Sequence, residues 1–205
     1  MDPVRLVVYS DYLCPWCYNA AHRLARLREE LGDHLELEWR SFLLRPAPAS
    51  RELLDFVRYT RSWLRPASEP DAPRFQTWES GEGPPSHSVP PHLVAKAAAR
   101  LGEVAFEDVH ARLLRAYFGE SRDITSRDVL RGIWEEAGLP LRDLEAADAP
   151  ETRQRVLAEH REAVERGITG VPTTAVVGTD AAVVGAQPLA VYRRWVDRLR
   201  AGVLD

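Results

Sequence analysis

The only two cysteines among the 205 residues, Cys14 and Cys17, bracket Pro15-Trp16 where one hydrophobic pattern gives way to another. Upstream, Arg5-Leu6-Val7-Val8-Tyr9-Ser10 is an apolar, β-branched run with the length of a buried strand. Downstream, Ala20, Leu24, Leu27 and Leu31 recur at helical spacing, and Gly32 is placed to stop the helix. Leu35-Glu36-Leu37-Glu38-Trp39 then alternates with period two, predicting a half-buried strand that runs to about Phe42. Strand, helix and strand with short joints form a βαβ unit with a right-handed crossover. The cysteine pair therefore opens the first helix.

Stability is a poor reason for such a pair, because closing so short a loop restricts the unfolded chain little. In a reducing compartment, two closely spaced cysteines are catalytic, redox-sensing or metal-binding before they are a staple. Pro15 suits the first helical position. The unpaired N–H groups there favour a negative charge, hence a thiolate on Cys14, and the thiolate is the nucleophile of disulfide exchange. Cys17 lies nearly a turn further on, closer to the interior, where it can attack a mixed disulfide formed at Cys14. Zinc needs about four ligands and one CxxC supplies two. The six histidines (His22, His34, His87, His92, His110, His160) show no paired ligand spacing, so no metal is expected. Two ordinary buried thiols are the blander alternative, and the placement at a helix start after an apolar strand favours redox chemistry over it.

The rest of the chain has another texture. Glu52 to about Leu64 predicts a helix. A stretch rich in Pro, Ser and Gly runs from Arg65 to Pro91. A loop this long is functional, mobile or partly structured, and Phe75 and Trp78 are expected to pack down within it. Helical signals resume at about 92–101, 106–118, 127–137 and 151–166, with Ser126 or Thr125 as a cap and Gly138 as a stop for the third. Gly170 to Val177 reads as a strand entered through Pro172, 178–180 as a turn, 181–184 as a second strand and 187–200 as a last helix. A proline opening a strand is ordinarily an edge residue, and the residues alone give no reason for a cis bond. The reading is α/β, with residues 1–45 and 167–205 forming one domain and 46–166 a helical insertion.

The net charge of −4 shows no footprint for nucleic acid. The basic residues are arginines apart from Lys96, mixed with Asp and Glu along the helices, and read as solvated faces. No apolar run approaches the roughly 18 residues that span a bilayer. The N-terminus lacks the pattern of a secretory signal. Both predict a cytoplasmic chain without a membrane partner.

Asp11-Tyr12-Leu13-Cys14-Pro15-Trp16-Cys17-Tyr18, with the distant Gly170-Val171-Pro172-Thr173 and Gly185-Ala186-Gln187, resembles the DsbA-like branch of the thioredoxin superfamily. The Pro-Trp dipeptide is most similar to that of the FrnE-like cytosolic members. Phe42-Leu43-Leu44-Arg45-Pro46, Ala116-Tyr117-Phe118 and Asp123-Ile124 add to the match.

The resemblance implies a thioredoxin fold with a large helical insertion between the βαβ unit and a C-terminal ββα unit. It implies disulfide exchange by Cys14 and Cys17, and a cis Pro172 facing them. Val171 backbone groups would pair with an extended substrate strand. Protein or small-molecule thiols and disulfides are the implied partners, with no cofactor beyond glutathione as a thiol co-substrate. Trp16 stands where the periplasmic oxidants carry histidine, which implies a less oxidising pair. Gln187 is placed near the active face. Asp11 either tunes the thiols or, more simply, caps the turn at the helix start. Tyr18 lines the site or packs, His22 belongs to the surface, and Trp39, Trp63, Trp134 and Trp195 belong to the core. The alternatives are a glutathione-dependent enzyme of the kappa-transferase or 2-hydroxychromene-2-carboxylate isomerase type, which generally has serine at the Cys14 position, and a non-catalytic peptide-binding module.

Overall fold

The computed structural model describes residues 2–81 and 83–203. Its axis is β1 (Val4–Ser10), followed by α1 (Pro15–Leu31) and β2 (Leu35–Ser41). The sheet order is β2-β1-β3-β4, with β3 at Thr173–Val176 and β4 at Ala182–Val184. β2 runs parallel to β1, with Leu6 opposite Leu37; β3 runs antiparallel to β1, with Leu6 opposite Val176.

Because side chains alternate along a strand, β1 feeds two cores. Leu6 and Val8 meet Leu24 and Leu27 of α1 and Tyr192 and Val196 of α9 (Leu189–Arg200). Val7 and Tyr9 meet Phe42, Ala163, Ile168 and Val171 on the opposite face. Burial on both faces explains why β1 is apolar throughout rather than alternating. Ala163 belongs to α8 (Pro150–Glu165), so a helix from the 46–166 segment supplies the third layer over the sheet.

The remaining helices are α2 (Leu53–Thr60), α3 (Leu64–Ala67), α4 (Val89–Ala99), α5 (Glu103–Glu120), α6 (Arg127–Glu136) and α7 (Leu141–Leu144). Their core gathers Phe56, Trp63, Trp78, Tyr117, Phe118 and Trp134, and it includes Tyr12, Leu13 and Tyr18 from around the cysteines. Tyr18 packs, stacked on Phe118 and edge-on to Phe75. Trp63 and Trp134 are buried, whereas Trp39 and Trp195 are half-buried.

Several boundaries differ from the sequence expectation. α4 begins at Val89, because Pro90 and Pro91 fill its first turn, where a missing N–H costs nothing. β3 begins at Thr173, since Gly170-Val171-Pro172 forms a loop. α9 begins at Leu189, which leaves Gln187 outside it. The caps α6 was expected to have are only partly there: Ser126 stands at its start without a side-chain cap bond, and Gly138 follows its end at φ 68°.

The Pro-rich stretch is stitched down bond by bond. Gln76 N–H donates to Phe118 O at 2.7 Å, Trp78 N–H to the Thr60 hydroxyl at 3.1 Å and Glu79 N–H to the Ser121 hydroxyl at 3.0 Å. Ser88 N–H donates to Arg45 O at 2.8 Å.

Candidate active site

Cys14 is the last non-helical residue before α1, and Pro15 is the first helical one. The turn that delivers it is held by Asp11. One carboxylate oxygen accepts Leu13 N–H at 2.6 Å and the other accepts Leu44 N–H at 2.7 Å, while Asp11 O accepts Cys14 N–H at 3.1 Å. Asp11 thus fastens the cysteine turn to the segment that leaves β2. Its burial raises the carboxyl to about 6, against the pull of the Ser88 hydroxyl, the two N–H groups and Arg45.

The Gly170-Val171-Pro172 loop closes the site from the other side. The Val171–Pro172 bond is cis, and the Cys14 thiol donates to Val171 O at 3.4 Å. Gly185 N–H donates to Pro172 O at 2.8 Å, which ties the loop to the end of β4.

The two thiols, both free, have different surroundings. Cys14 is 6% exposed and Cys17 fully buried. Burial drives the Cys17 thiol well above its ordinary value, reinforced by the adjacent Cys14; the Ser10 hydroxyl and the Asp11 backbone pull it down. Cys17 is therefore held as a thiol at neutral pH, with Ser10 at its back. Trp16 is half-buried, with the Arg65 guanidinium 6.0 Å from its ring centre. Gln187 makes no hydrogen bond to either cysteine: its side-chain amide donates to Val184 O at 2.8 Å within its own turn. His22 is exposed.

Other residues at the site escaped the sequence reading. Ser10 is the one polar residue ending an apolar strand, which was the available signal. Arg23 was read as a solvated face, yet its side chain is fully buried. Its guanidinium donates to Asp71 at 3.0 Å, to Glu69 at 3.0 Å, to Ala186 O at 3.0 Å and to Gln187 O at 3.2 Å. Arg23 falls in the Ala20, Leu24, Leu27 stripe, so helical spacing alone marked it as inward-facing. Behind Ser10, Tyr12 and His110 share a 2.8 Å hydrogen bond, and His92 and Lys96 close the same small cavity. Lys96 pairs with Glu159 at 2.8 Å and donates to Trp39 O at 2.9 Å.

Among the described residues no group of three His, Cys, Asp or Glu side chains is placed to hold a metal. No helix among them is long and apolar enough to cross a membrane.

Comparison with known proteins gives this arrangement a setting. An uncharacterised Bacillus subtilis protein, YwbO, is 28% identical over 211 residues, covering 93% of this chain and 94% of its own. The cytosolic disulfide reductase DsbM of Pseudomonas aeruginosa superposes with a TM-score of 0.73 at 25% identity, covering 98% of this chain and 97% of its own; it has also been solved with GSH. A 2-hydroxychromene-2-carboxylate isomerase shares the fold, with a TM-score of 0.66 at 17% identity over 98% of this chain and all of its own. The DSBA-like thioredoxin domain matches residues 5–68 and 74–196, nearly the whole chain, which has a thioredoxin fold with a helical insertion and belongs to that family.

Proposed function

We propose that the chain is a thiol–disulfide oxidoreductase in which Cys14 attacks and Cys17 resolves. The observation that carries this reading is the asymmetry of the pair: Cys14 at the helix start beside Val171 O, Cys17 dry and protonated behind it. In the reducing direction, the Cys14 thiolate attacks one sulfur of a substrate disulfide. A Cys14–substrate disulfide forms and one substrate thiolate leaves. Cys17 then gives up its proton, which the leaving thiolate takes, and attacks Cys14 Sγ. The Cys14–Cys17 bond forms, the second substrate sulfur departs as a thiolate that takes a proton from solvent, and two electrons have passed to the substrate. The oxidising direction runs the same steps backwards.

Pro15 starts the helix, and Asp11 fixes the turn. Trp16 forms the outer wall, and Val171 with Pro172 lies alongside an incoming extended peptide as in strand addition. Gln187 sits at the rim through its backbone. Protein or small thiols are the partners, with glutathione as a thiol co-substrate, as the GSH complex of DsbM suggests. The Pro-Trp dipeptide and the DsbM likeness favour a cytoplasmic, FrnE-like role. The isomerase likeness reaches the fold alone, and a cysteine at position 14 favours redox work over that chemistry.

Trapping tests the proposal. Cys17→Ser incubated with oxidised substrates accumulates mixed disulfides at Cys14, and Cys14→Ser accumulates none. Absence of any adduct on Cys17→Ser overturns the reading, and tight peptide binding that survives Cys14→Ser points instead to a binding module.

A further inference from the structure

The chain carries a net charge of −4, yet the ground beside Cys14 is basic. A cleft of about 180 Å³ is lined by Leu13, Leu44, Arg45, Arg51, Tyr59 and Tyr117. Leu13 is one Cα–Cα step, about 3.8 Å, from Cys14. Arginines elsewhere around the fold, such as Arg23, Arg28, Arg40 and Arg112, are paired with a carboxylate. Arg45 and Arg51 make no such ion pair among the described residues.

Arg51 instead lies over the Tyr59 ring, 5.0 Å from its centre, and the Phe56 ring at 5.8 Å. Burial lowers the Arg45 guanidinium and the Arg51 charge lowers it further, with Tyr117, Tyr59 and Asp11 opposing. Asp11, whose carboxylate acts on Arg45, is committed to Leu13 and Leu44 N–H. Tyr117 is 3% exposed, and its hydroxyl has no hydrogen-bond partner among the described residues.

Two guanidinium groups that line one cleft repel each other, and an anion between them offers both a charge-assisted partner. The cleft is also rigidly placed. Arg45 N–H donates to the Ser88 hydroxyl at 3.1 Å, its carbonyl accepts Ser88 N–H, and the neighbouring Leu44 is bonded to the cysteine turn through Asp11.

We propose that the Arg45–Arg51 cleft is a carboxylate subsite: it holds a carboxylate of a small peptidic thiol or disulfide whose sulfur reacts at Cys14. This rests on the exchange reading above and names its substrate class. Because Leu13 lines the cleft and adjoins Cys14, the fitting ligand carries its carboxylate close in sequence to the reacting sulfur, and Arg offers it a fork of donors. The subsite lowers the free energy of the encounter and takes no part in the bond exchange, so Arg45 and Arg51 are binding residues.

The test measures second-order rates of the reduced protein with glutathione disulfide and with bis(2-hydroxyethyl) disulfide, which has no carboxylate. Their ratio is normalised to the same ratio for a free thiol. Wild type favours glutathione disulfide by about tenfold or more, a preference that shrinks with salt. Arg45→Gln and Arg51→Gln each cut the normalised ratio about tenfold, and Arg45→Lys cuts it less. A wild-type ratio equal to that of the free thiol, or one that neither Gln variant changes, overturns the subsite. The wild-type arm needs no variant to fold. Should neither disulfide react, the exchange reading has failed by itself. Calorimetric binding of reduced glutathione to Cys14→Ser then decides the subsite, with binding weakened about tenfold by Arg45→Gln supporting it and no binding overturning it.

Discussion

The two sides of the cysteine pair solve the problem of charge in opposite ways. In front of Cys14, the charged groups are arginines at the surface: Arg45, Arg51 and Arg65, held by rings and backbone. Behind Cys17, the polar groups are buried and either paired or neutral. Glu159 is pushed up by burial but held below its ordinary range by Lys96 and by Ser41 N–H, which donates to it at 2.8 Å. His92 and His110 are kept uncharged by burial and by Lys96, His110 down to about 3. On the exchange reading proposed above, an attacking thiol needs access and a resolving thiol needs shelter, which matches one side open to ligands and the other committed to the fold.

The rear is where that contrast breaks most severely. Glu159→Gln leaves the Lys96 ammonium buried with neutral acceptors only, and the expected loss is about 3–5 kcal/mol in urea unfolding. Replacing both partners with apolar residues restores most of it, because the uncompensated charge disappears with its partner. A loss under ~1 kcal/mol for Glu159→Gln means that the rear is wetter than its burial implies.

Acid sharpens the same comparison. His92 and His110 have folded values below their unfolded value of about 6.5, so their contribution is present above that pH and is lost as pH falls through it. Asp11 runs the other way: raised from 3.8 to about 6, it favours the folded chain as pH falls from about 6 to about 4. Two histidines outweigh one aspartate, and the net expectation is a loss of about 3 kcal/mol between pH 6.5 and 4.5. Asp11→Asn removes the opposing contribution and steepens that slope. Stability that is flat or rising over this range contradicts neutral histidines behind Cys17.

The smallest of the three effects lies in front. Trp16→His places an imidazole beside Cys14, and a cationic donor there stabilises the thiolate of the reduced form. The potential, measured against glutathione buffers, is expected to rise by ~30–60 mV, equivalent to about 1.4–2.8 kcal/mol for two electrons. A wild-type potential already as high as that of the strong periplasmic oxidants removes the premise.

Much of the front could be read from the sequence, and little of the rear. The βαβ unit announced itself because β1 and α1 have clean periods, and the Cys-Pro-Trp-Cys placement follows from them. The cis bond at Val171–Pro172 came only from the family resemblance, since nothing local favours it. Pro90 and Pro91 look like a loop in the sequence because two prolines read as a breaker, although a first helical turn tolerates both. His92 and Lys96 share α4, but His110 comes from α5 and Glu159 from α8, and no local pattern foretells that the three helices bring them together. Arg45 and Arg51 look like any other arginine until the fold brings both to one cleft beside Leu13.

Arg23 has a consequence for how such a chain can change. Its carboxylate partners, Glu69 and Asp71, fall in the five residues that the family match skips between 68 and 74. Those residues read as a disposable surface excursion, yet they neutralise a cation sealed against the carbonyls of Ala186 and Gln187, on the strand end that braces Pro172. The excursion and the arginine therefore depend on each other: a chain shortened at 69–73 that keeps Arg23 is expected to carry an unmatched buried charge beneath the cysteine pair.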